Sequence, residues 1–363
     1  MDWKLFFLVL AMVVFGLIMV YSSSFILAQE RSGNGFALIR KQLLFAILGF
    51  LAMAGAIQMD YGLWRKHAPS VLAGAVFLLF LVLLPGVGHK VGGAQRWLKL
   101  GPVRFQPAEL AKFAMIFFGA RFLESPLSWS RFSDPKRIGE ALLFLPAFFL
   151  LLIQPDFGTT VIIALVLFFM VFVSGVRPRA LFAVFFPIAV GALLVAFGSE
   201  YRRARIRTFW DPWQDPAGKG FQILQSFVGL HNGGLFGVGL GNSREKLFYL
   251  PEAHNDFIFS VIGEELGFLG VFTVVFAYLY LMFKGLNIAW NCQRKKQDRF
   301  GMLLATGITL ALSFQGFVNA AVVFGLLPTK GLALPFLSYG GSALVVDLFA
   351  VGVLLSIARS TEG

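Results

Sequence analysis

Cysteine is nearly absent: Cys292 is the single one in 363 residues, so no intrachain disulfide can staple the fold. Histidine is scarce at four, and neither a His-x-x-x-His nor a cysteine pair offers zinc-binding spacing. No Gly-x-Ser-x-Gly elbow occurs. The stretch "GVGLGNS" lacks the Gly-Lys-Ser/Thr that closes a phosphate loop, and it is no dinucleotide fingerprint because the strand–turn–helix setting is missing. Charge is sparse too. Asp, Glu, Lys and Arg make up 14% of the chain, against about 25% in soluble domains.

Apolar residues are plentiful instead, at 58%. Their runs are long enough for helices rather than barrel strands, which excludes a soluble globule and points to an integral membrane protein. The charge present is unbalanced, with 31 bases against 19 acids, a net +12. In a membrane protein that excess suits anionic headgroups or phosphate-bearing lipid substrates more than nucleic acid.

Apolar runs fall near residues 5–28, 43–57, 69–87, 108–123, 138–153, 159–173, 180–197, 257–283, 302–327 and 336–357. The fold class expected is therefore all-α: a single polytopic membrane domain over residues 1–363 with about ten spans. The first run exceeds a signal-peptide core of roughly 7–15 residues and has no clear cleavage site, so it reads as a retained span. Lys and Arg in short loops place both termini in the cytoplasm, "QRKKQDR" carrying the most weight. One long loop, residues 198–255, then lies outside between spans seven and eight. It is rich in Trp, Pro and Gly; loops this long are functional or disordered, and its aromatics argue against disorder.

Four constellations carry candidate chemistry. In "PEAHNDFIFSVIGEE", residues 251–265, Asn255 can cap span eight and Asp256 can complement its dipole. The functional reading takes Glu252, His254 and Asp256 as ionisable groups where an outer vestibule meets the bilayer. Glu264 and Glu265 lie deeper and read as structural, paired with a base or backbone inside the bundle. In "GGAQRWLKLGPVRFQPAELAKF", residues 92–113, Pro107 and Glu109 suit the first turn of a helix, and Lys112 shares a face with Glu109. Arg96, Trp97, Lys99 and Arg104 add a cationic, aromatic cluster at that helix start, which suits a phosphate or diphosphate. Arg202, Arg203, Arg205 and Arg207 in "YRRARIRTFWDP" read first as an interfacial basic segment. Lys330 lies in the outer loop of "LLPTKGLALPFLSYGGSA". Asp156 reads as a helix cap, and Asp347 within span ten requires a polar partner.

A sugar carried on a lipid diphosphate would fit these groups. Its leaving group needs cations and no general acid, and its sugar-hydroxyl nucleophile needs one general base. Asp256 is the best candidate base. Arg104, Lys112 and a divalent ion would hold the diphosphate, and a carboxylate could instead bind that ion.

The motifs "GGAQRWLKLGPVRFQPAELAK", "QPDFGTT", "YRRARIRTFWDPWQDPAGKGFQILQS", "GGLFGVGLGNS", "LPEAHNDFIFSVIGEELGFLG" and "GLLPTKGLALPFLSYGGSA" together resemble the shape, elongation, division and sporulation (SEDS) family over nearly the whole chain. The resemblance implies a ten-helix glycosyltransferase that polymerises lipid II into peptidoglycan and releases undecaprenyl diphosphate. It implies a divalent cation (Mg or Mn), a class B penicillin-binding protein partner, and, for the division branch, other divisome membrane proteins and a septal location. "LPTKG" and the short "GVGLGNSREKLFYLPE" favour that branch over the elongation branch. The family's essential aspartate falls on Asp256, its "RWL" tryptophan on Trp97, the base before "FQP" on Arg104, and the Glu and Lys that follow on Glu109 and Lys112. His254 and Lys330 complete the expected substrate-binding set. Asn255, Ala343 and Asp347 depart from the residues common there, Thr, Ser and Asn. The competing readings are a lipid II flippase, with charges lining a midplane path, a non-catalytic scaffold, and the elongation or sporulation member of the same family.

Overall fold

The computed structural model describes residues 1–91, 94–101, 103–125, 134–179, 181–183, 185–187, 191, 208–216, 218, 220–246, 253–329 and 331–362. Helices α1 (Trp3–Ser32), α2 (Ala37–Gln58) and α3 (Gly62–Leu83) come first. A three-stranded antiparallel sheet follows, β1 (Gly88–Val91), β2 (Ala94–Leu100) and β3 (Val103–Phe105), in the order β1-β2-β3. Next come α4 (Pro107–Glu124), α5 (Pro135–Leu142), α6 (Phe144–Ile153) and α7 (Phe157–Val173). A short 3-10 helix (Pro212–Gln214) and then α8 (Phe221–Gly233), α9 (Ile258–Lys296), α10 (Arg299–Val323) and α11 (Ser342–Glu362) complete the described elements.

Among the described residues the fold is all-α apart from that sheet, and the chain is a multi-pass membrane protein. Among the described residues, six helices are long and apolar enough to cross a bilayer: α1, α2, α3, α9, α10 and α11. Helix α7 is apolar but shorter. Helices satisfy their own backbone groups, as hydrocarbon demands. Burial sorts the spans into layers. In α10 and α11, 78% of the apolar window is buried, against 22% in α2. The first two therefore form the centre of the bundle, while α2 turns leucines outward as a lipid-facing helix does.

The sequence reading needs several corrections. Span five is two helices, α5 and α6, broken at Leu143. Span eight runs on to Lys296, so Arg294, Lys295 and Lys296 form its last helical turn and not a loop. Span ten begins at Ser342, leaving residues 327–341 as a loop. Span seven and the arginine-rich stretch 201–207 lie largely outside the described residues. The long loop holds a helix, α8, and its residues 234–246 dock against α9.

That docking has a backbone cause. Gly267 interrupts α9 with φ 65° and ψ −162°, a conformation that favours glycine. The kink frees carbonyls and amides for the loop. Val238 and Gly239 donate to the carbonyls of Glu264 and Glu265, both at 3.0 Å, and Phe268 donates to Gly234 at 2.9 Å.

Candidate functional site

The sheet sits at one end of the bundle, between the C-terminal end of α3 and the N-terminal end of α4. Gln95 donates to the carbonyl of Val82 at 2.8 Å, tying β2 to the last turn of α3. Arg96 donates to the carbonyls of Gln154 at 2.9 Å and Pro155 at 2.5 Å, tying it to the turn between α6 and α7. Arg96 is thus a scaffold residue. Trp97 is half-buried opposite His89, and Lys99 lies opposite Arg104. Pro107 opens α4, where a missing amide costs nothing, and the amide of Gln106 bonds the Ser342 hydroxyl at 3.3 Å. The starts of α4 and α11 therefore meet.

Asp256 lies in the turn just before α9 and is half-buried. The helix begins at Ile258, with Phe257 at the cap position and no side-chain cap hydrogen bond. The expectation that Asn255 caps this helix is therefore corrected. The turn is held by its carbonyls instead. Asn319 Nδ2 donates to the carbonyl of Asp256 at 2.8 Å, Ser338 Oγ to that of Asn255 at 2.6 Å, and the Tyr339 amide to that of His254 at 3.0 Å. Each donor comes from α10 or the 327–341 loop. The Asp256 carboxylate rests over Gly331, where an added Cβ would stand 3.0 Å from Oδ2.

His254 is buried, its ring 5.8 Å from that of Tyr339. Arg104 is exposed on β3. Burial pushes the Tyr339 phenol up, and the positive charge of Arg104 opposes that rise. Tyr339, His254, Asp256 and Gly331 thus gather where the Asp256 turn meets the loop before α11, the mouth of the candidate site, and the Arg104 charge acts on Tyr339 there. Lys330 lies outside the described residues.

Glu109 and Lys112 lie beneath this mouth, not on its surface. Lys112 is 1% exposed. Its ammonium donates to Glu109 at 2.7 Å and Gln315 at 2.6 Å, and it pairs with Asp347 at 3.4 Å. Asp347 has the partner its position required. Gln315 passes the connection on, because its Nε2 donates to the carbonyl of Ala333 at 2.9 Å. One turn further along α10, Asn319 donates to Leu332 as well as to Asp256. The ion cluster and the Asp256 turn therefore grip the same loop.

The second buried acid group is also satisfied. Glu265 accepts from Lys246 at 3.0 Å and from Ser22 at 2.7 Å. Glu264 accepts from the amides of Arg244 and Glu245 and from the Ser243 hydroxyl. Both are structural, as expected. Asp156 caps α7, accepting from the Thr159 amide and hydroxyl at 3.3 and 3.0 Å.

Sequence reading missed Gln315, Asn319, Ser338, Tyr339 and Gly331. A signal existed for the first two: polar amides one turn apart within an apolar run share a helix face and require partners in a membrane.

A family model described as a cell cycle protein, for FtsW, RodA and SpoVE, matches residues 2–363. The chain belongs to the FtsW/RodA/SpoVE family. Among similar proteins, the probable peptidoglycan glycosyltransferase FtsW of Geobacter sulfurreducens is 43% identical over 100% of this chain and 96% of its own length. That of Halorhodospira halophila is 40% identical over 98% of this chain and 90% of its own. Among solved structures, a chain from a peptidoglycan synthase complex that coordinates polymerization and crosslinking superposes with a TM-score of 0.81. It is 31% identical, and the match covers 99% of this chain and 98% of that one. The rod shape determining protein RodA of Thermus thermophilus gives a TM-score of 0.72 at 30% identity, covering 100% of this chain and 98% of that one. This FtsW/RodA/SpoVE chain thus shares the fold of both structures along essentially its full length.

Proposed function

We propose that the chain is a peptidoglycan glycosyltransferase: a polymerase of glycan strands that uses lipid II at the outer face of the cytoplasmic membrane, for septal wall synthesis in division. Both termini then lie in the cytoplasm and the Asp256 mouth faces outward. The observation that carries the reading is the placement of Asp256, half-buried at this mouth with its backbone carbonyl anchored by Asn319 and its carboxylate against Gly331. The similarity to proteins named peptidoglycan glycosyltransferase FtsW supports the reaction class.

In the proposed step, a sugar hydroxyl of one chain attacks the anomeric carbon of a lipid-linked sugar with inversion. Asp256 accepts the hydroxyl proton as the new C–O bond forms. The bond to the diphosphate breaks, and its electrons leave with undecaprenyl diphosphate. No general acid is needed, because the diphosphate departs as a stabilised anion. Arg104 supplies positive charge at the mouth, and Trp97, His254 and Lys330 complete the substrate-binding set. Glu109 and Lys112 act as positioning residues through Gln315 and the 327–341 loop.

A divalent cation, Mg or Mn, belongs to the same proposal. Among the described residues, no three His, Cys, Asp or Glu side chains gather to hold one. One carboxylate plus substrate diphosphate oxygens is nevertheless a donor set that Mg²⁺ accepts, and Asp256 would be that carboxylate only in place of its role as the base. The ion would neutralise charge on the leaving group. A class B penicillin-binding protein and other divisome membrane proteins are the proposed partners. Similarity to a chain of a peptidoglycan synthase complex supports the former. The flippase reading is weakened because the interior acids Glu109, Asp347 and Glu265 are engaged in ion pairs.

The test uses purified wild type and Asp256→Asn, each with the penicillin-binding protein supplied and its own active site blocked. Lipid II and Mg²⁺ or Mn²⁺ are added, and glycan polymer is resolved on gels. Polymer from wild type alone is expected. Equal polymer from both removes Asp256 as the base; lipid translocation without polymer would favour a flippase.

A further inference from the structure

At the end of the bundle opposite the sheet, the start of α3, the end of α4 and α5 enclose a cavity of about 480 Å³. Four bases line it, Arg65, Lys66, Arg121 and Arg137, against two acids, Glu124 and Glu140. The acids do not consume the bases. Arg65 pairs with Glu124 at 2.6 Å. Arg121 reaches only the carbonyls of Arg65 and Lys66, at 3.4 and 3.5 Å. Arg137 lies over the Phe122 ring, 5.8 Å from its centroid, and its Nη1 is buried without a hydrogen-bond partner among the described residues. A buried guanidinium nitrogen left without an acceptor is costly, and an anion in the cavity would supply one.

A second hollow continues along the same helices. A groove of about 460 Å³ is lined only by apolar side chains, including Pro69, Ala73, Val76 and Phe80 of α3 with Leu143 and Leu150 beside them. The lining positions of α3 run 62, 65, 66, 69, 72, 73, 76, 77 and 80 through both hollows. That is one helical stripe, cationic at its start and apolar beyond. Across from it, Arg137 and Glu140 lead into Leu143, Pro146 and Leu150. A cationic cup below an apolar channel has the charge and polarity profile of an amphiphile with an anionic head.

We propose that this α3–α5–α6 cleft is a binding site for an anionic phospholipid, with the phosphate against Arg137, Arg121 and Lys66 and an acyl chain in the groove. Its cationic cup lies at the end of the molecule away from the Asp256 mouth, and the site does not depend on the reaction proposed there.

Full-length protein in neutral detergent is titrated with phosphatidylglycerol, with phosphatidylcholine and with inorganic phosphate, reading the melting temperature and the apparent Kd. Phosphatidylglycerol should stabilise saturably and phosphatidylcholine should not. Arg137→Gln should weaken phosphatidylglycerol at least ten-fold. Lys66→Gln, on an exposed side chain, should weaken it several-fold and serves if the first variant misfolds. Ala73→Trp, which fills the groove from an exposed position, should weaken the lipid and leave inorganic phosphate unaffected. Equal stabilisation by both lipids, or unchanged affinity in both charge variants, overturns the site. Phosphate binding that competes fully with lipid and ignores Ala73→Trp makes it a free-anion site and overturns the lipid assignment.

Discussion

The side-chain amide of Asn319 donates to the backbone carbonyl of Asp256 at 2.8 Å, across 63 residues of sequence. The same nitrogen reaches Leu332 at 2.8 Å, so one side chain joins the candidate base to the loop beneath it. Asn319→Leu would leave both carbonyls without this donor, at about 1–3 kcal/mol for each one left buried and unpaired. The melting temperature should fall, and the rate of polymer formation should drop at least ten-fold with little change in KM. A wild-type rate would show that this anchor is dispensable.

Lys112 is the shared cation of Glu109 and Asp347. Lys112→Met strands two buried carboxylates, and breaking a buried pair this way costs about 3–5 kcal/mol. Adding Glu109→Gln and Asp347→Asn to that variant should recover much of the stability. Thermal unfolding of the single and triple variants decides this. If the triple is no more stable than the single, repulsion between stranded acids is not the cause.

Gly331 leaves room for the Asp256 carboxylate. An added Cβ at 3.0 Å from Oδ2 is tighter than ordinary contact, so the carboxylate must shift. Gly331→Ala should keep the fold, and Gly331→Val should be worse. About a 1 Å displacement of a reacting group can cost on the order of a hundred-fold in rate. Polymer assays across Gly, Ala and Val should therefore decline in that order.

Glu245 supplies a pH test of the docked loop. Burial, and then the neighbouring Glu264 carboxylate, pushes its carboxyl from 4.5 up to about 7. Between those values the folded chain holds a proton that the unfolded chain has released. Stability therefore falls as pH rises through that window and levels off above it. Glu245→Gln should flatten that slope in melting temperatures taken across the window. An unaltered slope would assign the pH dependence to another group.

Local chemistry was legible along the chain. Apolar runs announced membrane helices, because hydrocarbon leaves a spanning backbone few alternatives. The i,i+3 pairing of Glu109 with Lys112 and the capping of α7 by Asp156 were readable because each partner lies within one helical turn. The motifs also brought Asp256, Arg104 and Trp97 forward as a set. The sheet over residues 88–105 was hidden, since its polar alternation is short and broken by the Gly92–Gly93 pair and by Gly101, and a strand exists only through its partner. The partnership of Gln315 and Asn319 with the 327–341 loop was hidden for a related reason. Their amides stood out in the sequence, but the carbonyls they hold belong to other elements. Glu264 and Glu265 needed donors from Ser243 and Lys246 on a loop that docks only because α9 kinks at Gly267. Sequence set which segments enter the membrane and which groups could do chemistry. Tertiary structure decided which charges cancel one another and which carboxylate reaches the mouth, because partners distant along the chain meet only after the helices pack.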